Sequence, residues 1–450
     1  CNGEVKMKRV LLLALLLLAS AAVFSSRHAY GQSGRPEFVP NEVLVKFKPA
    51  QRALAIAEQL PRLNAVLRSQ IPRLGVDVFK SQSLTTDQLI ARLREHPAVE
   101  YVEPNYYAYA DFTPNDPFFS QQWGMTKIRC PQAWDYTQGN NTLVAVVDSG
   151  VQADHPDLQG RLLAGASFVP GFSTPVDDCG HGTHVTGIAA AATNNSTGVA
   201  GVGFNTMILP VKVLSYNPPW CSGSFDQVAN GITYAADQGA KIINMSLGSY
   251  TDSQTVHNAV HYSYDHGALN IAAAGNENLT TMLYPAGYTD VVQPVGARTQ
   301  SDTKASFSNY GSWVDLYAPG VSIYSTYINS GYFALDGTSM ATPHASGVAS
   351  LIYAKFQSQS PTNSKVRSQI VCAAKKANVT IYQGKRLDAL NAVKYTNTLC
   401  QTECGNAMNA CTANCYQLYC SKGLYQQCQQ CNAACRSSLA ACQATCCFGF

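Results

Sequence analysis

The sequence predicts an α/β chain built on a parallel sheet with helices on both faces, preceded by a small α+β domain and followed by a disulfide-rich helical hairpin. Three observations predict it. Short apolar runs at Leu143 to Val147, Ile208 to Leu214, Lys241 to Met245 and Leu269 to Ala273 alternate with helical segments, as strands covered on both faces do. Ahead of them, shorter strand and helix patterns alternate through 35–110. Behind them, 400–450 holds eleven cysteines and no histidine.

The composition fits several folded units and an oxidising compartment. The chain has 450 residues, 46% of them apolar, which is ample for a sizeable core. A net charge of +3 with a charged fraction of 13% gives no footprint for nucleic acid or an anionic membrane surface. Met7-Lys8-Arg9, the apolar run from Val10 to Ala19 and Ser20-Ala21-Ala22 have the order of a secretory signal, assigned to 7–31. The run is shorter than the ~18 residues a membrane span needs, so no span is expected in the mature form. Cys1 to Lys6 precede the expected start at Met7. Sixteen cysteines, fifteen of them behind an export signal, favour disulfides and a secreted, extracellular protein.

Within 35–110, Glu42 to Lys48 alternates as a strand, Arg52 to Leu60 reads as a helix, and Leu74 to Lys80 is strand-like again. Thr86 to His96 is a second amphipathic helix and Val99 to Tyr106 a closing strand, giving β-α-β-α-β. The region 111–397 carries the parallel sheet, and in such sheets chemistry lies beyond the carboxyl ends of the strands.

Those ends carry the residues of interest. Asp148 ends the run Val144 to Val147 and precedes Ser149-Gly150, where an aspartate commonly caps a turn. His181 stands in Gly180-His181-Gly182-Thr183-His184, at the start of a small-residue helix. His184 invites a metal reading, but no nearby carboxylate or cysteine spacing completes a zinc site. Asn276 follows the strand Leu269 to Ala274 and Gly275. Ser339 lies in Gly337-Thr338-Ser339-Met340-Ala341-Thr342-Pro343, between a glycine turn and a helix start. Alone, that serine reads as a helix cap; beside unpaired N–H groups it also suits a nucleophile facing an oxyanion. Together the four supply an orienting carboxylate, a base, an amide donor and a nucleophile, in the chain order Asp, His, Ser.

With these motifs in hand, the chain from Pro114 through Thr396 resembles the subtilisin-family serine proteases, and thermitase-type members in particular. Gly-His-Gly-Thr-His and Gly-Thr-Ser-Met-Ala-Thr-Pro are very specific to that family. The resemblance implies a serine endopeptidase acting on polypeptide substrates, with Asp148, His181 and Ser339 as catalytic residues and Asn276 in the oxyanion site. It implies a substrate-pairing edge at Ser246-Leu247-Gly248, substrate contact at Gly275, a cis proline in Tyr284-Pro285-Ala286, and a roomy P1 pocket beside Gly248, Ala273, Gly275 and Gly287. The segment Glu37 to Tyr107 resembles the inhibitory, folding-assisting propeptide, with autocleavage expected between Tyr107 and Thr113 and a monomeric product. A silent scaffold whose cysteine-rich tail carries the function is the rival, though it would not need all four site residues.

The resemblance also implies one structural calcium ion, held by side-chain oxygens of Asp116, Asp157 and Asn195 and by carbonyls of Ala192, Thr197 and Val199, the hard oxygen shell Ca²⁺ takes. A polar turn is the alternative for that loop. A second such site near Ser167 to Phe172 is not expected, because Ser167, Pro170 and Phe172 replace the family's carboxylates. Cys179 and Cys221 resemble a disulfide pair of some proteinase K-like relatives, leaving Cys130 and Cys372 as a remaining pair.

The tail lies outside the resemblance. Cys400, Cys404, Cys411 and Cys415 share the spacing of Cys431, Cys435, Cys442 and Cys446, and at ~100° per residue each set covers about 60° of a helix. Two antiparallel helices would then be joined by Cys400–Cys446, Cys404–Cys442, Cys411–Cys435 and Cys415–Cys431, with Cys420–Cys428 closing the loop and Cys447 left over. A cysteine-only metal cluster is the competing arrangement.

Overall fold

The computed structural model describes residues 38–108, 112–377, 380–381 and 384–396, and from the tail 411, 430–431, 434–435 and 450. The signal segment, residues 109–111 of the expected cleavage region and most of the tail lie outside the described residues. The chain divides into two compact units, Cys1–Asp111 and Phe112–Phe450.

The first unit runs β1 (Phe38–Phe47), α1 (Arg52–Arg62), β2 (Ala65–Ile71), β3 (Val76–Ser81), α2 (Thr86–Arg94) and β4 (Val99–Tyr106). Its sheet is antiparallel in the order β2-β3-β1-β4. The expected β-α-β-α-β pattern is thus corrected to β-α-β-β-α-β. The missed strand, β2, is an edge strand whose residues are half-buried or exposed, and its pairing with β3 shifts register between Leu67 and Ser69, so no apolar alternation marks it. The expected strand start at Leu74 lies instead in the turn joining β2 to β3. Val43, Val45, Phe47, Phe79, Leu89 and Leu93 fill the core. A capping box of Thr85 and Gln88 starts α2, and buried Asp77 receives Arg52 Nε at 2.9 Å and Nη2 at 2.5 Å.

The second unit contains α3 (Trp123–Lys127), α4 (Cys130–Trp134), β5 (Leu143–Asp148), β6 (Ala166–Ser167), α5 (His181–Ala190), β7 (Met207–Lys212), β8 (Ser215–Asn217), β9 (Trp220–Ser222), α6 (Phe225–Asp237), β10 (Ile242–Met245), α7 (Gln254–Asp265) and β11 (Leu269–Ala273). These are followed by β12 (Val292–Arg298), β13 (Leu316–Pro319), the hairpin β14 (Ile323–Tyr327) and β15 (Gly331–Leu335), α8 (Thr338–Lys355), α9 (Asn363–Ala377), β16 (Thr380–Ile381), β17 (Gly384–Arg386) and α10 (Ala389–Lys394). The main sheet has the order β16-β17-β13-β12-β11-β10-β5-β7-β6. Eight strands are parallel, and β16 pairs antiparallel at the edge.

Side-chain alternation along the strands fills both faces. Val144 and Val146 join the core made with α5, α8, α9 and α10, whereas Ala145 and Val147 join the one made with α6 and α7. Helix α8 is buried along almost its whole length, which explains why small and apolar residues surround its axis.

Cys179 and Cys221 form a disulfide, as do Cys411 and Cys435. The expected Cys130–Cys372 bridge does not form. Cys130 is a buried free thiol and Cys372 is disulfide-bonded to another residue, the two lying on α4 and α9, each of which packs against α10. Cys431 is disulfide-bonded, while its expected partner Cys415 and the other proposed tail pairs lie outside the described residues. Phe450 stacks on Phe356, with ring centroids 4.3 Å apart. Among the described residues no helix is long and apolar enough to cross a membrane.

Candidate active site

The strand order places β11, β10 and β5 side by side, so Asn276, Ser246 and Asp148 all emerge at their carboxyl ends. Asp148 is the last residue of β5 and fully buried. Its Oδ1 accepts from its neighbour's N–H, that of Ser149, at 2.7 Å and lies 2.7 Å from His181 Nδ1, while Oδ2 has no hydrogen-bond partner among the described residues. The His181 side chain stays 26% exposed, leaving its other nitrogen toward the groove.

His181 is placed by the loop ahead of α5. Gly180 caps the helix at φ +85°, and a Cβ there would come within 2.4 Å of the Tyr327 ring, so glycine is required. Buried Asp177 gathers this loop: its carboxylate accepts from Ser149 Oγ, from the N–H groups of Cys179, Gly180 and Thr183, and from Thr183 Oγ1 at 2.6 Å. The Cys179–Cys221 bridge ties the same loop to β9. Burial works against the His181 cation, but the charge and hydrogen bond of Asp148, helped by Asp177, prevail and raise its pKa above the ordinary histidine value.

His184 has a different surrounding. Its Nε2 lies 3.0 Å from the Phe333 carbonyl, and burial chiefly lowers its pKa to about 4, keeping it neutral. His344 behaves similarly, with Nδ1 at 2.8 Å from the Met340 carbonyl.

Ser339 occupies the first turn of α8. Its hydroxyl donates to the Ser246 carbonyl at 3.1 Å, and Ser246 Oγ donates back to the Ser339 carbonyl at 2.9 Å, so the nucleophile candidate is held to the end of β10 and not to the His181 ring. Asn276 is fixed by Thr338, whose N–H and Oγ1 both donate to Asn276 Oδ1, at 2.8 and 2.9 Å. With Oδ1 doubly engaged, Nδ2 is turned outward. A Cβ placed on Gly337 would lie 3.5 Å from Ser339 N and 3.7 Å from Asn276 Nδ2, so both donors border one small volume.

A second network holds the Asn276 loop from behind. Asn309 Oδ1 accepts from the N–H groups of Glu277 and Leu279, and its Nδ2 donates to the Ala274 carbonyl and to Tyr250 Oη. Tyr250 donates to Glu277 Oε2, which also accepts the Asn276 N–H. Gly275, at φ +107°, would place a Cβ 2.3 Å from Asn309 Nδ2. Its missing side chain therefore serves this packing. Of these supports, Thr338 adjoins Ser339 and Asp177 precedes a helix start, both visible in the chain, whereas Asn309 has no local signal.

A groove of about 350 Å³ runs past His181, between Leu214, Phe225 and Val228 on one side and Ser246, Leu247, Gly248 and Tyr284-Pro285 on the other. Tyr284-Pro285 is a cis peptide. Asp116 and Asp157 are both buried, away from this groove. Asp116 accepts the N–H groups of Asn194 and Asn195, and Asp157 accepts the Val199 N–H at 2.7 Å and Asn195 Nδ2 at 2.9 Å. Burial pushes the Asp157 carboxyl up to about 6, with the Asp116 charge adding to it, and burial also raises Asp116.

Residues 139–393 match the model of the Subtilase family. The chain is 49% identical over 287 residues to thermitase of Thermoactinomyces vulgaris, covering 63% of this chain and all of that one.

The chain belongs to the subtilase family.

Its kinship extends ahead of that domain. Residues 24–105 match the Fervidolysin N-terminal prodomain, so this is a subtilase serine protease with a prodomain. A thermophilic serine proteinase of Bacillus sp. (strain AK1) is 41% identical over 362 residues, covering 80% of this chain and 88% of that protein. Among solved structures, a protease of Pseudoalteromonas arctica aligns at TM-score 0.57 and 31% identity over 63% of this chain and 99% of that one. As a subtilase, the protein is a serine-type endopeptidase, a hydrolase of peptide bonds.

Proposed function

We propose that this subtilase is secreted as a zymogen and cuts peptide bonds through Asp148, His181 and Ser339 by way of an acyl-enzyme. The single observation that carries the reading is the 2.7 Å contact of a buried Asp148 carboxylate with His181 Nδ1, beside a serine at a helix start facing two free donors. Asp148 holds the Nδ1–H tautomer, leaving Nε2 as the base. A substrate in the groove draws the Ser339 hydroxyl from the Ser246 carbonyl toward that nitrogen. As Oγ attacks the peptide carbonyl, its proton passes to His181, and the oxyanion meets Asn276 Nδ2 and the Ser339 N–H. His181 then gives the proton to the departing amine, and water repeats the sequence on the ester.

Ser246-Leu247-Gly248 would pair with an extended substrate as an added strand, with Gly275 bordering the P1 side chain. The prodomain, 35–110, would act as an intramolecular inhibitor of the peptidase domain, 111–397, until cleavage between Tyr107 and Thr113. A mature form lacking the 7–31 signal, monomeric and outside the cell, follows from the same reading.

The proposal includes a structural calcium ion held by Asp116, Asp157 and Asn195 side chains and by the carbonyls of Ala192, Thr197 and Val199. Two buried carboxylates, both raised by burial and Asp157 further by the Asp116 charge, fit a divalent cation, which would supply the missing positive charge. Asn195 turns Nδ2 toward Asp157 and Oδ1 toward the Thr197 N–H, so ligation by its oxygen requires a half-turn of the amide. Near Ser167 to Phe172, the Lys212 ammonium over the Phe172 ring speaks against a second cation.

Peptide hydrolysis by the purified mature protein and by His181→Ala and Asp148→Asn variants tests the mechanism. Both variants, freed of the prodomain by wild-type enzyme added in trans and then removed, should stay folded and lose nearly all kcat; retention of wild-type kcat by either removes the triad.

A further inference from the structure

A second cluster of metal-ligating side chains lies on α7, away from the catalytic residues and from Asp116 and Asp157. His257 and His261 are four residues apart, one turn along the same helix face, with ring centroids 4.4 Å apart. Asp290, which lies just before β12, completes the group, and one ligand atom from each of the three lies within 4.8 Å of the others. His261 Nε2 is buried, lies 3.1 Å from Asp290 Oδ2, and yet makes no aligned hydrogen bond among the described residues. Two such atoms side by side suit a shared cation, since ligands at ~2.0–2.1 Å around a tetrahedral ion stand about 3.3 Å apart.

The frame around the cluster is already fixed. Tyr288 packs edge-on against His257 at 4.6 Å, and its Oη donates to Asp252 at 2.7 Å. The Asp290 carbonyl accepts from Arg367 Nη1 at 3.0 Å. Asp290 is exposed and both histidines half-buried, so an ion can enter and keep a water as its remaining ligand.

We propose that His257, His261 and Asp290 bind a late first-row divalent cation of the zinc class, for which two imidazoles and a carboxylate are suitable ligands. The ion clips α7 to the segment that leads into β12. Val256 of that helix and Tyr284-Pro285 of that segment both line the substrate groove, so occupancy stiffens two of its walls.

The test is Zn²⁺ titration of the full chain carrying Ser339→Ala, which prevents autolysis, in saturating Ca²⁺, by calorimetry and thermal melting. The parent should bind one equivalent of Zn²⁺ more than its His257→Gln/His261→Gln derivative and gain Tm with zinc where the derivative does not. Zinc taken up elsewhere on the chain is common to both and cancels. Equal uptake and equal Tm shifts overturn the site. Should the double variant already melt early in EDTA, Asp290→Asn, a change at an exposed carboxylate, decides: the site requires zinc affinity to fall by about tenfold or more, and unchanged affinity overturns it.

Discussion

Ser339 and Asn276 are set by neighbours that do no chemistry themselves. Thr338 directs the Asn276 amide through two hydrogen bonds to Oδ1 and accepts the buried Gly275 N–H on its own hydroxyl. Thr338→Val keeps the shape but loses the hydroxyl, so kcat should fall about tenfold, the equivalent of ~1.4 kcal/mol, with KM little changed. Asn276→Leu removes the donor itself, and a kcat loss of about 100- to 1,000-fold is expected, a magnitude established on subtilisin. Steady-state kinetics on one peptide distinguishes the two. His181 must be neutral to act as base. Because Asp148 raises its pKa, the acidic limb of a pH profile of kcat/KM should fall off at a pH above the ordinary histidine value of about 6.5. A limb lying below it would contradict the electrostatic reading. At Cys130 burial pushes the thiol pKa up, so iodoacetamide should leave it unlabelled in the folded protein.

The elements divide into those that position the site and those that merely close the sheet. Helix α5 owes its register to Asp177, Gly180 and the Cys179–Cys221 bridge, which closes a stretch of 42 residues. The loop-closure relation gives about 4 kcal/mol for a loop of that length. Replacing both cysteines with serine should therefore lower unfolding stability by roughly 2–4 kcal/mol, read by denaturant melts, and slow catalysis less than it destabilises. The central parallel strands were legible because each is apolar on both faces, and Asp148, His181 and Asn276 stood out at strand or helix ends. The edges were not. β2 and β16 lie at sheet margins, and the hairpin β14–β15, which supplies the Phe333 carbonyl to His184, carries half-exposed residues without a clean alternation. Asn309 was invisible because its partners, Ala274, Glu277 and Tyr250, meet only through the fold. The Cys130–Cys372 pairing failed for a related reason: counting thiols says nothing of which helices their backbones occupy.

At the scale of the whole molecule, one chain carries a prodomain, a peptidase and a cysteine-rich tail, of which the first two belong to known subtilase architecture. The proposed calcium site joins the Asp116 segment, the Asp157 turn and the loop after α5, which are distant in sequence. Chelation should therefore lower Tm of the mature protein, added Ca²⁺ should restore it, and Asp157→Asn should abolish most of the difference. The proposal that Ser339 is the nucleophile is tested most directly by fluorophosphonate labelling of purified wild type and Ser339→Ala, with the adduct located by peptide mass spectrometry. Wild type should lose its prodomain and carry the phosphonyl group on Ser339, while Ser339→Ala should keep its prodomain and remain unlabelled. Labelling at another residue, or equal maturation of both proteins, would contradict it.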